Sequence, residues 1–321
     1  MYRIGIDLGG TNIAVGIINE NFEIIQKASI PTGATRPADE ITKDMIGLCH
    51  IVCDQAGIDP ADIASVGIAS PGVADHDAGV IVYSCNFPTF RNYAICDAIK
   101  AGFPAPEVFV ENDANAAAWG EVVAGSAKGA KNFVMITLGT GVGGGIIIDR
   151  KVYSGFNYAG GELGHIVIET NGVPCGCGRK GCWEAYSSAT ALIRMTKEKM
   201  EACAAAGRTT AMTAIADAAG KVNGRTAFDA MRAGDAAGTE VVNTYALYLA
   251  EGLSNIINIF QPEVISIGGG ISNEGDTLLD LIKPLVYQRI YGSGFVKAPE
   301  LRIATLKNDA GIIGGAVLGI K

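Results

Sequence analysis

The stretch YRIGIDLGGTNIAVGIIN, residues 2–19, places two apolar runs on either side of a glycine-rich turn. Together with FEIIQKASI it predicts three successive strands. A helix after Pro37 and a strand at IASVGIAS come next. A similar opening returns in NFVMITLGTGVGGGIIID, residues 132–149, and in KVYSG shortly after it. The sequence therefore predicts an α/β fold that is duplicated within one chain.

The remaining elements continue the alternation of strands and helices. A strand at PEVFVEN precedes a helix from about Asp113 to Val123, and the region between about Trp183 and Phe260 is rich in helices. A strand at EVISIG, a helix near residues 278–289, a strand at LRIATL and a last helix from Asp309 follow. Each half is thus predicted to contain its own sheet.

The length and composition fit a chain with a substantial core. Of the 321 residues, 49% are hydrophobic and 18% are charged, which is enough apolar surface for one large domain or two ordinary ones. We expect two duplicated α/β domains with a cleft between them. The small N-terminal domain would comprise residues 1–115 together with the last helix, at about 308–321, and the larger domain residues 116–307.

Hydropathy and charge argue against two classes of partner. No apolar run approaches the roughly 20 residues of a membrane span, and Met1 leads directly into a strand without the apolar segment of a signal peptide. The formal net charge of −8 opposes binding to nucleic acid. We therefore expect a cytoplasmic protein with no membrane partner and no nucleic-acid partner.

Each half carries a glycine-rich turn between its first two strands, DLGGTN at residues 7–12 and LGTGVGG at residues 138–144. Glycine lets the backbone approach a phosphate closely, so that main-chain N–H groups and threonine hydroxyls can donate to its oxygens. One such turn alone fits an ordinary hairpin, but two at matching places favour phosphate binding. Neither matches the phosphate-loop or dinucleotide motif. Asp7, beside the first turn, is suited to hold Mg²⁺.

A polar cluster, ENDANAAAWGE at residues 111–121, follows a strand and opens a helix. An Asp at the start of a helix is a good N-cap, which is one role for Asp113. The other role is chemical, because this carboxylate could accept the proton of an attacking hydroxyl in phosphoryl transfer, with Asn112 orienting the alcohol. The two roles do not exclude each other.

Three of the eight cysteines, Cys175, Cys177 and Cys182, lie within eight positions, and His165 precedes them. In a reducing compartment such a set is typical of a metal site, and with His165 it would form a closed, structural Cys₃His zinc site. The spacing matches no common CxxC template, so reduced cysteines in a loop are the alternative. The other five cysteines are expected to be small buried side chains, and the two remaining histidines are assigned no role.

Six motifs occur along the whole chain in one order: DLGGTN, ENDANAAAWGE, LGTGVGGG, GELGHI, CGCGRKGC and ISIGGGIS. In this order they resemble the ROK family of bacterial sugar kinases, which have the fold of the actin and hexokinase ATPases. The resemblance implies a hexose substrate, ATP and a structural Zn²⁺, in addition to the Mg²⁺ expected at Asp7. It also implies a homodimer or a larger homo-oligomer.

The resemblance further implies roles for individual residues. Asp113 would be the catalytic base, and sugar hydroxyls would be bound by Gly72, Asn86, Asn112, Glu162, His165 and Glu184. ATP would be held by Asp7, Gly9, Gly10, Thr11, Asn12, Gly139, Thr140, Gly141, Gly143, Gly268, Gly269 and Gly270, and zinc by His165, Cys175, Cys177 and Cys182. A zinc on one ring nitrogen of His165 would orient the other nitrogen toward the sugar. Disturbing the metal loop should therefore weaken sugar binding more than nucleotide binding, because the glycine turns are not part of the loop.

Within the family, GELGH, the cysteine loop and CWEAYSSATAL are most similar to the glucokinase branch. The expected reaction is transfer of the ATP γ-phosphate to the 6-hydroxyl of glucose. Kinases for N-acetylmannosamine, N-acetylglucosamine, allose or fructose share most of these motifs and are the alternatives. Sugar-sensing repressors of the same family carry an N-terminal helix-turn-helix. DLGGTN begins within ten residues of Met1, so this non-catalytic alternative is expected to be wrong.

Overall fold

The computed structural model describes residues 1–320, which form three sheets and ten helices. The strands are β1 Tyr2–Leu8, β2 Asn12–Ile18, β3 Ile24–Pro31, β4 Ile63–Ser70, β5 Val73–Asp75, β6 Val80–Tyr83, β7 Arg91–Tyr93, β8 Glu107–Asn112, β9 Phe133–Leu138, β10 Val142–Ile148, β11 Lys151–Val152, β12 Val264–Gly268 and β13 Glu300–Ile303. The helices are α1 Ala38–Ala56, α2 Ile95–Gly102, α3 Asp113–Ala124, α4 Glu184–Ser187, α5 Ala189–Ala205, α6 Ala211–Ala218, α7 Thr226–Arg232, α8 Ala236–Phe260, α9 Asp276–Arg289 and α10 Ala310–Ala316. In this part of the chain no helix has both the length and the hydropathy that crossing a membrane requires.

The two large sheets have the same strand order. The first runs β3-β2-β1-β4-β8 and the second runs β11-β10-β9-β12-β13, so each strand of one sheet has a counterpart in the other. In the first sheet β1 pairs antiparallel with β2, with Ile6 opposite Val15, and parallel with β4, with Ile6 opposite Ile68. In the second sheet β10 and β11 are antiparallel and β12 and β13 are parallel. The predicted α/β class and the duplication are confirmed.

The chain forms two compact units, each with one of the glycine turns. Unit 1 comprises residues 1–135, residues 145–161 and the chain from residue 304 onward, and it contains the first turn and the polar cluster. Unit 2 comprises residues 136–144 and 162–303, and it contains the second turn and the cysteine loop. The domain boundaries expected near residues 115 and 308 stay a prediction.

Helix α1 covers one face of the first sheet. Its buried residues recur every three or four positions, as in a helix with one apolar face: Ile41, Met45, Leu48, Cys49, Val52 and Cys53. They pack in one core with inward-facing residues of β1 and β2 such as Ile4, Ile6 and Val15. Of the five scattered cysteines, four are buried as predicted, whereas Cys85 is exposed, so the expectation is wrong for that residue.

Helix α10 packs on β1, β4 and α3 through backbone contacts. A Cβ at Gly5 of β1 would overlap the carbonyl of Ile312, and a Cβ at Gly67 of β4 would overlap the carbonyl of Gly315. Glycine at these two strand positions lets the helix backbone lie directly on the sheet. The last helix is therefore an integral part of unit 1.

A small part of unit 1 was not predicted. A three-stranded sheet, β5-β6-β7, and the short helix α2 lie between β4 and β8 in the sequence. These strands are three or four residues long, which is too short for an alternation of polar and apolar residues to be recognised. The segment matters for function because Gly72, His76 and Asn86 lie in it or beside it.

Candidate active site

The first glycine turn is tied to the neighbouring strand β3. The Gly9 N–H donates to the Asn12 carbonyl at 3.0 Å, which closes the turn. The Thr32 hydroxyl donates to the Gly9 carbonyl at 2.6 Å, and the Thr32 N–H donates to the Thr11 carbonyl at 2.8 Å. Thr32 is buried, whereas Gly10, Thr11 and Asn12 are exposed. The protein thus holds the carbonyls of the turn and leaves its outer face accessible to a ligand.

Asp7 lies in β1 beside this turn. Burial, with a smaller contribution from the negative charge of Asp113, raises the pKa of Asp7 to about 6. Helix α10 approaches it closely, because a Cβ at Gly311 would overlap the Asp7 carboxyl group. A bound cation would supply the charge compensation that this desolvated acid lacks, so the site fits Mg²⁺.

Asn112, and not Asp113, is the N-cap of α3. Its Oδ1 accepts hydrogen bonds from the N–H groups of Ala114 at 3.0 Å and Asn115 at 3.2 Å. Its Nδ2 donates to the Gly72 carbonyl at 3.0 Å, which fixes the amide in the capping orientation. The N-cap role considered for Asp113 is therefore wrong. The Asn112 side chain also hydrogen-bonds Asp113, so it connects the start of α3 to Gly72 and to the candidate base.

Asp113 occupies the first position of α3. Its Oδ1 accepts the Ala114 N–H at 2.8 Å, and the residue is exposed. Asp113 reaches solvent, but the surrounding protein removes part of its hydration, and this raises the pKa of its carboxyl group. The hydrogen bonds from Ala114 and Asn112 act in the opposite direction and are the smaller effect. The carboxylate is thus oriented, accessible and more basic than usual, which are the properties of a general base.

Gly72 and Asn86 lie on either side of these groups. Gly72 has a φ of 100°, and a Cβ there would overlap the Tyr83 carbonyl, so only glycine fits. Asn86 is exposed beside the first glycine turn, with its Nδ2 3.3 Å from the position that a Cβ would take on Gly10. Unit 1 therefore brings these two residues close to Asn112 and to the turn, respectively.

A buried acid behind Asn112 pairs with a histidine that was assigned no role. The Glu111 side chain is only 5% exposed, and its Oε2 lies 3.0 Å from Nδ1 of His76. This hydrogen bond, together with the charge of Glu111, raises the pKa of His76 against the opposing effect of burial. The two residues are 35 positions apart, so their pairing cannot be read from spacing. The one signal in the sequence is that an acid, Glu111, ends the apolar run VFVE and would need a partner if buried.

The second glycine turn is held by the start of α5. The Gly139 N–H donates to the Gly141 carbonyl at 3.0 Å, and the Gly139 carbonyl accepts the Ala189 N–H at 2.8 Å. The Thr190 hydroxyl donates to the Thr140 carbonyl at 2.8 Å. Thr140 itself is exposed. As in the first turn, carbonyls are occupied by the protein and the outer face is accessible.

Glu184 links this turn to the cysteine loop. Its Oε2 accepts the N–H of Val142, the first residue of β10, at 3.0 Å, and a Cβ at Gly141 would overlap the same carboxylate. Gly143 follows Val142 in the strand. The Cys175 thiol donates to Glu184 Oε1 at 3.6 Å. The loop therefore contacts the glycine turn through Glu184, so the expectation that the turns are separate from it does not hold for the second turn.

The four predicted metal ligands come together. One ligand atom from each of His165, Cys175, Cys177 and Cys182 lies within 4.8 Å of the other three. The sulfurs of Cys177 and Cys182 are 3.6 Å apart, and the Cys175 sulfur is 3.7 Å from Nδ1 of His165. Zn–S bonds of about 2.3 Å and a Zn–N bond of about 2.0 Å in a tetrahedron give ligand separations of roughly 3.5–3.8 Å. The donors and their spacing thus fit Zn²⁺, and Nε2 of His165 is left for another partner.

Trp183 anchors the metal loop to α8. It is fully buried between Cys182 and Glu184 in the sequence, and its indole N–H donates to the Tyr248 carbonyl at 3.0 Å. A Cβ at Gly252 of α8 would overlap the indole ring, so glycine allows the close contact. The buried Trp183 side chain therefore fixes the positions of its two sequence neighbours, the metal ligand Cys182 and Glu184.

Residues 268–270 lie at the edge of the second turn. Gly269 has a φ of 80°, and a Cβ there would lie 2.5 Å from the carbonyl oxygen of Leu138, the residue that precedes the turn. Glu162 is exposed and precedes the short 3₁₀ helix that ends at His165. Unit 2 therefore places the predicted adenosine-side glycines beside the second turn, and Glu162 beside the metal loop.

Three known proteins match nearly the whole chain. The glucokinase of Halalkalibacterium halodurans is 37% identical over 318 residues, which are 99% of this chain and 94% of the relative. The xylose repressor of Bacillus subtilis is 30% identical over 98% of this chain and 75% of the repressor. The crystal structure of a ROK family glucokinase from Streptomyces griseus in complex with glucose and AMPPNP has a TM-score of 0.79, 32% identity and 99% coverage of both chains.

The fold of these relatives agrees with the two sheets of identical strand order. The family model described as ROK family matches residues 3–321, which include all six motifs. The hexokinase-like ATPase fold predicted from the motifs is confirmed, and the chain belongs to the ROK family.

Proposed function

We propose that the protein is a glucokinase that transfers the γ-phosphate of ATP to the 6-hydroxyl of glucose. The observation that carries this proposal is the Asp113 carboxylate at the start of α3, which is accessible, oriented by the Ala114 N–H and has a raised pKa. A glucokinase that is 37% identical over nearly its whole length supports the choice of reaction and of sugar. The related structure in complex with glucose and AMPPNP supports both ligands.

Asp113 would act as the general base. One oxygen accepts the Ala114 N–H, so the other would take the proton of the 6-hydroxyl as that oxygen attacks phosphorus. Loss of hydration makes the carboxylate a stronger base than an ordinary aspartate. The exposed Asn86 and the side chain of Asn112 would hold hydroxyls of the sugar.

The glycine turns would bind the phosphates of ATP through their exposed faces. Their carbonyls are held within the protein, which turns N–H groups and the hydroxyls of Thr11 and Thr140 toward a ligand. Asp7 would hold Mg²⁺, which neutralises phosphate charge when it is bound. Residues 268–270 would line the adenosine because they carry no side chain.

The metal loop would position sugar-binding groups. Zn²⁺ bound by the three cysteines and Nδ1 of His165 would leave Nε2 to bond a sugar hydroxyl. Glu162 and Glu184 would accept hydrogen bonds from sugar hydroxyls. The ion would stabilise the loop and take no part in the chemical step.

An assay of a hexose panel with ATP tests the function, and we expect glucose to give the highest kcat/KM. Asp113→Asn should lower kcat by roughly 10²–10⁴-fold while calorimetry shows glucose binding unchanged. Asp54→Asn, which changes an exposed acid of α1, is the matched control and should behave as the parent.

The outcomes separate the alternatives. Preference for N-acetylmannosamine, N-acetylglucosamine, allose or fructose would correct the sugar and retain the reaction. Hexose binding without phosphorylation of any hexose would overturn the kinase and favour a sugar sensor. Normal turnover by Asp113→Asn would overturn the assignment of the base. Sedimentation of the purified chain tests the expected homodimer or larger homo-oligomer.

A further inference from the structure

Glu111 is a buried carboxylate that the proposed reaction does not use. It is the penultimate residue of β8, and its side chain is 5% exposed. A carboxylate that is removed from water is stable as an anion only when donors and a positive charge surround it. The groups that balance the negative charge of Glu111 therefore determine how the end of β8, where the polar cluster begins, is held in place.

The Glu111 carboxylate holds the first turn of α3. Its Oε1 accepts the Asn112 backbone N–H at 2.8 Å and the Asn115 Nδ2 at 3.1 Å. Asn112 is the N-cap and Asn115 lies in the first turn, so both contacts act on the segment that presents Asp113. A change in the position of Glu111 therefore acts on the backbone N–H of Asn112 and on the side chain of Asn115, the residues that flank Asp113 on its two sides.

His76 is the basic group that faces this acid. Its Nδ1 lies 3.0 Å from Glu111 Oε2, and within residues 1–320 no other basic side chain comes within 4.0 Å of this carboxylate. On the other side of the ring, Asp77 Oδ1 lies 3.9 Å from Nε2, and the Tyr158 ring packs edge-on at 4.9 Å. Asp75 adds a further negative charge nearby. These acids favour the charged imidazolium.

The His76–Glu111 pair is also in contact with solvent from one side. A cavity of about 870 Å³ within unit 1 is lined by His76, Asp77, Glu111, Trp119, Arg150 and other residues. The His76 side chain is 34% exposed, whereas Glu111 is buried. Protons of the solvent can therefore reach the histidine while the acid stays enclosed.

We propose that His76 is a positioning residue for the phosphoryl-transfer reaction, which fixes Asp113 through Glu111 and the first turn of α3. The proposal rests on the proposed function, because it assigns the effect to the catalytic base. His76 touches neither Asp113 nor the predicted phosphate turn in the contacts described above. Its influence passes through three hydrogen bonds that the Glu111 carboxylate accepts, from the His76 ring, the Asn112 N–H and the Asn115 amide.

The first test is His76→Gln, which keeps a donor of similar size and removes the charge. We expect kcat to fall about tenfold and the KM for glucose to stay within about twofold, because a small displacement of a base affects the chemical step most. His50→Gln is the matched control, since His50 bonds the Gly102 carbonyl at 3.1 Å and no acid. It should retain the kcat of the parent.

The pH profile separates positioning from a structural role. The pKa of His76 lies above its ordinary value because its ring hydrogen-bonds Glu111, so the imidazolium is present below that raised pKa and is lost as the pH rises through it. NMR titration of the His76 ring locates this pKa, and the ratio of parent kcat to His76→Gln kcat should be largest below it and decline as the pH rises through it. A ratio that stays constant across the titration of His76, or parent-like kcat at every pH, would overturn the proposal.

A double-mutant cycle with Glu111→Gln completes the test. If His76 acts through Glu111, the double variant should be no slower than Glu111→Gln alone. Additive losses would contradict the pathway, and His76→Gln keeps the test valid if Glu111→Gln does not fold. If the parent protein phosphorylates no hexose, the proposed function is rejected. If the parent is active and His76→Gln has the same kcat, only the role of His76 is rejected.

Discussion

The two glycine turns occupy matching places in two sheets of the same strand order, yet different neighbours support them. The first is held by Thr32 of the adjoining chain after β3. The second is held by the start of α5 and by Glu184 of the metal loop. The acid Asp7 precedes the first turn, and Thr137 stands at the corresponding position before the second.

The two turns share their place in the sheet but differ in their closure, because the Gly9 N–H donates to the Asn12 carbonyl whereas the Gly139 N–H donates to the Gly141 carbonyl. Thr32, which follows β3, supports the first turn, so the geometry of that turn depends on unit 1 alone. The second turn shares Glu184 with the cysteine loop, so its geometry depends on the state of the metal ligands. The two phosphate turns of the proposed kinase should therefore respond differently to the same perturbation.

Among the changes that compare the two turns, the largest effect is expected from Cys177→Ala. Loss of one thiolate should release Zn²⁺ and weaken glucose binding by about 10- to 100-fold, because His165 and Glu184 lose their fixed positions. The contact of Glu184 with Val142 adds a smaller loss of nucleotide affinity, which the sequence alone did not predict. Metal analysis by emission spectroscopy and separate titrations of glucose and AMPPNP measure the three changes. A parent without stoichiometric zinc, or unchanged glucose affinity in the variant, would contradict this account.

A second, smaller effect comes from paired glycine substitutions within the second turn. Gly141→Ala places a methyl group on the Glu184 carboxylate, and we expect the KM for ATP to rise about tenfold as the carboxylate is displaced from Val142. Gly139→Ala is the matched control, because a Cβ there meets nothing within 4 Å. Its KM for ATP should rise less than that of Gly141→Ala, because its methyl group can obstruct only the bound phosphate and leaves the contact between Glu184 and Val142 intact. Equal effects of the two changes would show that Glu184 does not brace the turn.

The smallest effect concerns the acid that only the first turn possesses. The pKa of Asp7 is raised to about 6 from an ordinary 3.8, so ionising it costs the folded state free energy. That cost is absent below pH 4, grows between pH 4 and pH 6 and is complete above pH 6. Asp7→Asn should thus raise the free energy of unfolding by about 1 kcal/mol at pH 7.5 and leave it unchanged at pH 4. The full shift corresponds to roughly 3 kcal/mol, but partial solvent exposure reduces it.

Urea denaturation without nucleotide or Mg²⁺, at several pH values, measures the Asp7 effect. Thr137→Val is the control from the second turn, since it removes no ionisable group and its effect on stability should not vary with pH. A gain in Asp7→Asn that is equal at pH 4 and pH 7.5 would mean that charge is not its cause.

Much of the architecture follows from local patterns. The alternation in YRIGIDL and NIAVGII predicts β1 and β2, and the recurrence of the glycine turn predicts the second sheet. The metal ligands were also predictable, because His165 and the three cysteines lie within 18 consecutive residues and the loop is too short to separate them. Local spacing is sufficient where the chain itself keeps the residues together.

The parts that were missed depend on contacts between distant residues. Asn and Asp are both good N-caps, and the choice of Asn112 depends on the Gly72 carbonyl, 40 positions away. Glu184 reaches Val142 across 42 positions, and His76 reaches Glu111 across 35. No periodicity in the sequence links such pairs, so these contacts can be identified only from the three-dimensional arrangement of the strands.

The backbone contacts of α10 also determine when this protein can become active during its synthesis. Gly5 and Gly67 lie against the carbonyls of Ile312 and Gly315, so the sheet that carries Asp7 lacks its cover until those residues leave the ribosome. At about 5–20 residues per second, the time from residue 135 to residue 312 is roughly 9–35 s. During that interval the sheet face that carries Gly5 and Gly67 lacks the helix that covers it in the finished protein.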